Sequence, residues 1–219
     1  MLVKLLWLLL GCALSGVFLQ SADAARRDPS GMKTVLVLGD SLSDGFGLKR
    51  SEAYPALLAQ KLSAAGYKFE VVNASASGGT TAGGLQRLPK HLGRKIDILI
   101  IQLGINDAFR GVPITTIRSN LQAMIDQTRA RWPQAEIVIA GMQLPLPEAE
   151  DYVSAFGEIY GELARKNHAA LVPYLLAQVG GDPVLNLPDR LHPNAAGQRV
   201  LAENVWRVLE PIARRVAQE

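Results

Sequence analysis

The chain has 219 residues, of which 48% are hydrophobic and 20% charged, and its formal net charge is +3. These values are typical of one globular domain and exclude an intrinsically disordered chain. The lysines and arginines are scattered along the sequence, so no specific contact with nucleic acid is expected.

The first 24 residues differ in kind from the rest of the chain. Lys4 gives a basic start, residues 5–19 are almost wholly apolar, and Ala22–Ala24 has the small-x-small form of a cleavage site. This pattern is typical of a secretory signal peptide, and the apolar run is short for a membrane span. It therefore predicts export to the periplasm or the medium.

Cleavage near Ala24 would leave a short segment, residues 25–32, followed by one domain over residues 33–219. The alternative is a lipoprotein lipidated at Cys12, which is the one cysteine of the sequence. The apolar run continues beyond Cys12, and this favours the later cut. Cys12 would then leave with the signal peptide.

The predicted domain begins with a buried strand that ends in a polar turn. The apolar run Val35–Leu38 stops at Gly39, and Asp40 and Ser41 follow. Ligands of parallel α/β sheets bind at the carboxyl ends of the strands, so the Ser41 hydroxyl is a candidate for chemistry. Gly, Asp and Ser are also common turn formers, and Asp40 is expected only to anchor the turn.

Strands and helices are predicted to alternate along the remaining chain. After the first strand, four more are predicted over Phe69–Asn73, Ile96–Leu103, Ile137–Ala140 and Leu171–Leu175. Helices are predicted over Ser51–Ala65 with Ser51 as its cap, around Leu85 and Leu88, and over Ile114–Thr128, Tyr152–Asn167 and Ala195–Val216. This alternation predicts an α/β fold with a five-stranded parallel sheet between two layers of helices.

Polar residues in four loops are expected to meet at the carboxyl edge of this sheet. Ser41 follows the first strand, Gly78 the second and Asn106 the third, and Asp189 and His192 precede the last helix. A serine hydroxyl needs a base to become a nucleophile, and a histidine held by a carboxylate is suited to that role. The sequence therefore predicts Ser41, His192 and Asp189 as catalytic residues.

Attack on an ester produces a tetrahedral oxyanion, which needs donors already in place. The backbone N–H groups of Ser41 and Gly78 and the side-chain amide of Asn106 are candidates for this oxyanion hole. The two other histidines are expected to be structural or solvated, since His91 lies in a basic stretch and His168 near a helix end.

Together the segments around Ser41, Gly78, Asn106 and His192 resemble the GDSL, or SGNH, hydrolase family. The four residues from which the name SGNH is taken match these four positions. The resemblance extends from about Lys33 to Pro211 and is closest to bacterial periplasmic thioesterases, lysophospholipases and arylesterases. Motifs similar to that branch are NAS followed by SG (Asn73–Gly78), TTAGGLQRLP (Thr80–Pro89), NDAFRG (Asn106–Gly111) and QLP (Gln143–Pro145). The resemblance implies a flavodoxin-like three-layer fold and ester hydrolysis without a metal or another cofactor.

Four positions depart from the pattern of that branch. An acidic residue is usual where Gly79 stands, Gly where Ile105 stands, and Gly-Ile where Arg190 and Leu191 stand. None of these changes removes a catalytic atom, but each alters the predicted crevice.

The sequence thus predicts an exported serine esterase for aryl esters, acyl thioesters or lysophospholipids. Phe109, Leu144 and Pro145 are candidates for contact with the acyl chain, within the segments Phe109–Pro113 and Leu144–Asp151. A monomer with transient contact to a membrane surface is expected. The alternatives are a carbohydrate O-acetyl esterase and a non-catalytic module that binds lipid or glycan on the same fold.

Overall fold

The structure is a computed structural model of the chain, described over residues 31–145 and 150–219. The predicted signal peptide and the alternative lipidation at Cys12 lie outside these residues. Within the described ranges, no helix combines the length and the apolar character needed to cross a membrane.

Five parallel strands form one sheet in the order β2-β1-β3-β4-β5. They are β1 (Lys33–Gly39), β2 (Phe69–Asn73), β3 (Ile98–Gln102), β4 (Glu136–Ala140) and β5 (Ala170–Val172). β1 and β3 are buried almost throughout because both faces of the sheet are covered. The chain reverses its winding between β1 and β3, so a crevice is expected at their carboxyl ends.

Helices cover both faces of the sheet. They are α1 (Ser41–Asp44), α2 (Tyr54–Ala64), α3 (Thr81–Arg87), α4 (Ile105–Phe109), α5 (Ile114–Arg131), α6 (Glu150–Lys166) and α7 (Ala195–Ala217). α2 packs against α7, while α5 packs against both α3 and α6. The predicted α/β fold with a five-stranded parallel sheet is confirmed.

The prediction that Ser51 caps the first long helix is wrong. Residues Arg50–Glu52 form a separate 3-10 turn, and α2 begins only at Tyr54. The backbone N–H of Tyr54 donates to Oε1 of Gln198 on α7 at 2.8 Å. A side chain 144 positions away in the sequence therefore supplies the cap that the local residues do not.

Two strands are shorter than predicted. β3 begins at Ile98 because the preceding Asp97 bonds to β1: its carboxylate Oδ2 accepts the N–H of Thr34 at 2.8 Å. β5 ends at Val172, before Pro173, whose missing N–H cannot continue a ladder. The short β5 brings the following loop to the same edge of the sheet as Ser41.

Candidate active site

Ser41 lies at the first position of α1, directly after β1. Asp40 caps this short helix, since its Oδ1 accepts the N–H of Leu42 at 3.0 Å. The turn is also bonded to the neighbouring strand, because the Ser43 hydroxyl donates to Oε1 of Gln102 on β3 at 2.7 Å. The Ser41 hydroxyl is therefore held at the carboxyl edge of the two central strands.

His192 and Asp189 form a connected pair with Ser41. The Ser41 Oγ lies 3.0 Å from His192 Nε2, and His192 Nδ1 lies 2.7 Å from Asp189 Oδ2. With the Nδ1 proton directed at the carboxylate, Nε2 is free to accept the serine proton. The three predicted residues are thus brought together across 151 positions of sequence.

The turn that carries the pair is held by its own hydrogen bonds. Asp189 Oδ1 accepts the N–H groups of Leu191 at 2.9 Å and His192 at 3.0 Å. The bonds from the His192 backbone and ring lower the pKa of Asp189 to about 2. Asp189 therefore stays ionised at neutral pH, ready to orient and stabilise a protonated imidazole.

The three predicted oxyanion donors lie on neighbouring segments, with Ser41 at the start of α1, Gly78 in the loop after β2 and Asn106 in α4. Asn106 Nδ2 donates to the carbonyl of Gly79 at 3.1 Å and keeps a second N–H. The backbone N–H groups of Ser41 and Gly78 have no acceptor within the described residues. Gly78 has φ +72°, a left-handed conformation that glycine adopts without strain. Unused donors beside a nucleophile are what a developing oxyanion requires.

Side-chain bonds tie the loop after β2 to the nucleophile turn. The Ser77 hydroxyl donates to Asp44 Oδ2 at 2.9 Å, and the Asn73 amide donates to the Ser43 carbonyl at 2.7 Å. On the far side, buried Asp107 accepts the Thr81 hydroxyl at 2.6 Å, which joins α4 to α3. The loops with Gly78 and Asn106 are therefore positioned by neighbours that have no part in the proposed chemistry.

A cavity of about 450 Å³ opens beside Ser41 and His192. Phe109 and Pro145 line it, as the sequence predicts for acyl-chain contacts. Leu144 lies outside the lining, and its side chain is buried in the hydrophobic core. Of the predicted segment Leu144–Asp151, residues 146–149 fall outside the described residues.

Several residues at the site escaped the sequence analysis. The Phe46 ring packs on the His192 ring with centroids 4.3 Å apart. Tyr174 and Leu176, in the loop after β5, line the cavity. The sequence could have predicted that this loop contributes to the site, because it also follows the carboxyl end of a strand. Within the described ranges, no three His, Cys, Asp or Glu side chains are grouped so as to hold a metal.

Comparisons with known proteins point to one family. The model described as "GDSL-like Lipase/Acylhydrolase family" matches residues 37–200, which include every residue from Ser41 to His192. Esterase TesA of Pseudomonas aeruginosa is 40% identical over 206 residues, covering 94% of this chain and 98% of that protein. The protein named "Thioesterase 1/protease 1/lysophospholipase L1" of Escherichia coli K12 is 34% identical over 183 residues, covering 82% of this chain and 84% of that protein.

A solved structure agrees with these sequence matches. The crystal structure of TesA superimposes with a TM-score of 0.78 at 42% identity, covering 82% of this chain and 99% of that chain. The fold described above thus has a counterpart in a solved structure.

Proposed function

Because the chain belongs to the GDSL-like lipase/acylhydrolase family, we propose that it is an exported serine esterase that works through an acyl-enzyme on Ser41. That it hydrolyses esters follows from the family and from relatives named esterase and thioesterase/lysophospholipase. The observation that carries the mechanism is the 3.0 Å contact between Ser41 Oγ and His192 Nε2.

In acylation, Ser41 Oγ attacks the carbonyl carbon of the ester while its proton passes to His192 Nε2. Asp189 stabilises the resulting imidazolium through the 2.7 Å contact to Nδ1. The carbonyl oxygen becomes an oxyanion that accepts hydrogen bonds from the N–H groups of Ser41 and Gly78 and from the Asn106 amide. The intermediate then expels the alcohol or thiol, which takes the proton from His192.

Deacylation repeats the same steps with water as the nucleophile. His192 removes a proton from the water, which attacks the acyl carbonyl, and the same three donors hold the second oxyanion. The carboxylic acid leaves and Ser41 regains its proton from His192.

The cavity lining supports acyl esters as substrates. Apart from Arg190 and His192, its described side chains are apolar or uncharged, among them Phe109, Met142 and Leu176. Such a surface favours burial of a hydrocarbon chain. We include aryl esters, acyl thioesters and lysophospholipids in the proposal.

We further propose a signal peptide over residues 1–24, a segment over 25–32 and a catalytic domain over 33–219 that acts as a periplasmic or secreted monomer. Transient contact with a lipid surface is supported by exposed apolar side chains at the site. Phe46, Phe109 and Leu191 are 47%, 50% and 56% exposed. All three line the cavity or touch His192.

The test is hydrolysis of p-nitrophenyl esters from acetyl to palmitoyl by the mature protein. Ser41→Ala should lower kcat by roughly 10⁴-fold to 10⁶-fold and abolish stoichiometric labelling by a fluorophosphonate. Ser51→Ala changes an exposed serine outside the cavity lining, so it is the matched control and should behave as the wild type.

The chain-length profile decides between the alternatives. A maximum at medium or long chains supports a lipid esterase, and activity confined to acetyl esters supports a glycan deacetylase. A wild type that neither hydrolyses any ester nor reacts with the fluorophosphonate would refute the catalytic proposal and leave a binding module.

A further inference from the structure

One arginine is among the residues that line the cavity. Arg190 is the single lysine, arginine or carboxylate among the cavity-lining residues in the ranges 31–145 and 150–219. Its side chain is exposed and makes no ion pair with a carboxylate of these residues. The neighbouring Asp189 is already engaged by the His192 ring and by two backbone N–H groups. The Arg190 guanidinium is therefore available to an anion in the cavity.

Arg190 has a backbone conformation that is unfavourable for its residue type. Its φ is +57°, in the left-handed region that disfavours residues with a Cβ. The turn is closed on both sides, because the Arg190 N–H donates to the Leu187 carbonyl at 2.9 Å and the Leu187 N–H to the His192 carbonyl at 2.7 Å. Glycine would adopt this conformation without strain. A strained charged residue at a site is an observation that points towards function.

The position of Arg190 indicates which part of the substrate it meets. It lies two residues before His192, whose Nε2 returns a proton to the departing alcohol or thiol. The leaving group must pass beside this turn. Exposed Arg110 donates to the Gly78 carbonyl at 3.2 Å and adds a second positive charge beside a predicted oxyanion donor.

We propose that Arg190 binds a phosphate on the alcohol portion of the substrate, so that the preferred class is acyl esters of a phosphorylated alcohol. Guanidinium matches phosphate geometry with two parallel hydrogen bonds, which a flexible ammonium does not. The inference rests on the proposed esterase function and adds to it a determinant of the leaving group.

The test compares two substrates that differ only in the phosphate, 1-decanoylglycerol 3-phosphate and 1-decanoylglycerol, both below their aggregation concentrations. Arg190→Gly should lower kcat/KM for the phosphorylated ester by about tenfold or more, the loss of a charge-assisted contact. For the neutral ester the change should stay within about twofold. The Tm of Arg190→Gly should equal or exceed that of the wild type, because the strain is removed.

Arg190→Lys keeps the charge and serves as the matched variant, with an expected loss smaller than that of Arg190→Gly. An unchanged ratio of kcat/KM for the two substrates in Arg190→Gly would overturn the inference. The inference would also be overturned if Arg190→Gly lost kcat/KM on p-nitrophenyl hydrogen succinate but not on p-nitrophenyl butyrate. Arg190 would then bind a negative charge on the acyl portion of the substrate. Failure of the esterase proposal is separate: Ser41→Ala would then match the wild type on 1-decanoylglycerol.

Discussion

The substitution Asp40→Asn tests how the fold supports the nucleophile turn. Asp40 is fully buried, and burial raises its pKa from 3.8 to about 6. Its Oδ1 accepts the N–H of Leu42, while Oδ2 has no hydrogen-bond partner among the described residues. The hydrogen bond from the N–H of Leu42 lowers the pKa only partly against this burial. An ionised Asp40 therefore costs the folded state free energy.

The sign and size of this cost follow from the two pKa values. The folded chain holds the Asp40 proton more tightly than the unfolded chain does, so stability falls as pH rises from about 4 to about 6. The difference from 3.8 to about 6 corresponds to about 3 kcal/mol, as an upper bound for a buried group. Above about pH 6 the whole cost is present.

The side-chain amide introduced by Asp40→Asn cannot ionise but still offers an oxygen to the N–H of Leu42. We expect Asp40→Asn and the wild type to be nearly equally stable at about pH 4. By about pH 7.5 the variant should be more stable by up to about 3 kcal/mol. Urea unfolding of both proteins at intervals between about pH 4 and pH 8 measures this difference.

Other titratable groups near Asp40 do not confuse the comparison. His192, Arg87 and the buried hydroxyls of Tyr54 and Tyr160 interact with its charge, but they are present in both proteins. Asp40→Ala also removes the ionisation and in addition loses the cap, so it should lie about 1 kcal/mol below Asp40→Asn at every pH. Parallel stability curves for Asp40→Asn and the wild type would refute the reasoning.

Two further substitutions test the oxyanion site and the support of the catalytic turn. Asn106→Ala should lower kcat by roughly 10²-fold to 10³-fold with little change in KM in steady-state assays, and a loss below about threefold would exclude Asn106 from the oxyanion hole. Gly197→Ala places a Cβ in steric conflict with the Leu185 carbonyl oxygen under the turn that carries His192, so both Tm and kcat should fall. Gly157→Ala, in α6 with nothing within 4 Å of the added Cβ, is its control and should raise stability by about 0.5–1 kcal/mol. Equal Tm values for Gly197→Ala and the wild type would contradict the packing argument.

Much of the architecture could be predicted from local sequence patterns. The apolar run Ile98–Ile101 belongs to a strand buried on both faces, as expected of a parallel sheet covered by helices. The bounds of Phe69–Asn73 agree with the prediction to the residue. Ser41, Gly78 and Asn106 were predicted at the ends of three strands and Asp189 and His192 before the last helix, and their catalytic roles stay predictions.

Other features depend on residues far apart in the chain. Ser51 looks like a cap, but Gln198 on α7 caps α2 instead, and no local pattern contains that contact. Leu144 and Pro145 are neighbours in one apolar segment, yet one is buried in the core and the other lines the cavity. Which way each side chain faces depends on packing against the whole sheet.

The sequence alone therefore determined the alternation of strands and helices and the types of residue at the site, because both follow from hydrophobic periodicity and loop chemistry. Only the tertiary structure decided the 3.0 Å contact between Ser41 and His192, the burial that raises the pKa of Asp40, and the left-handed backbone of Arg190. Distances, desolvation and backbone strain arise when distant segments pack together, and no window of the sequence contains them.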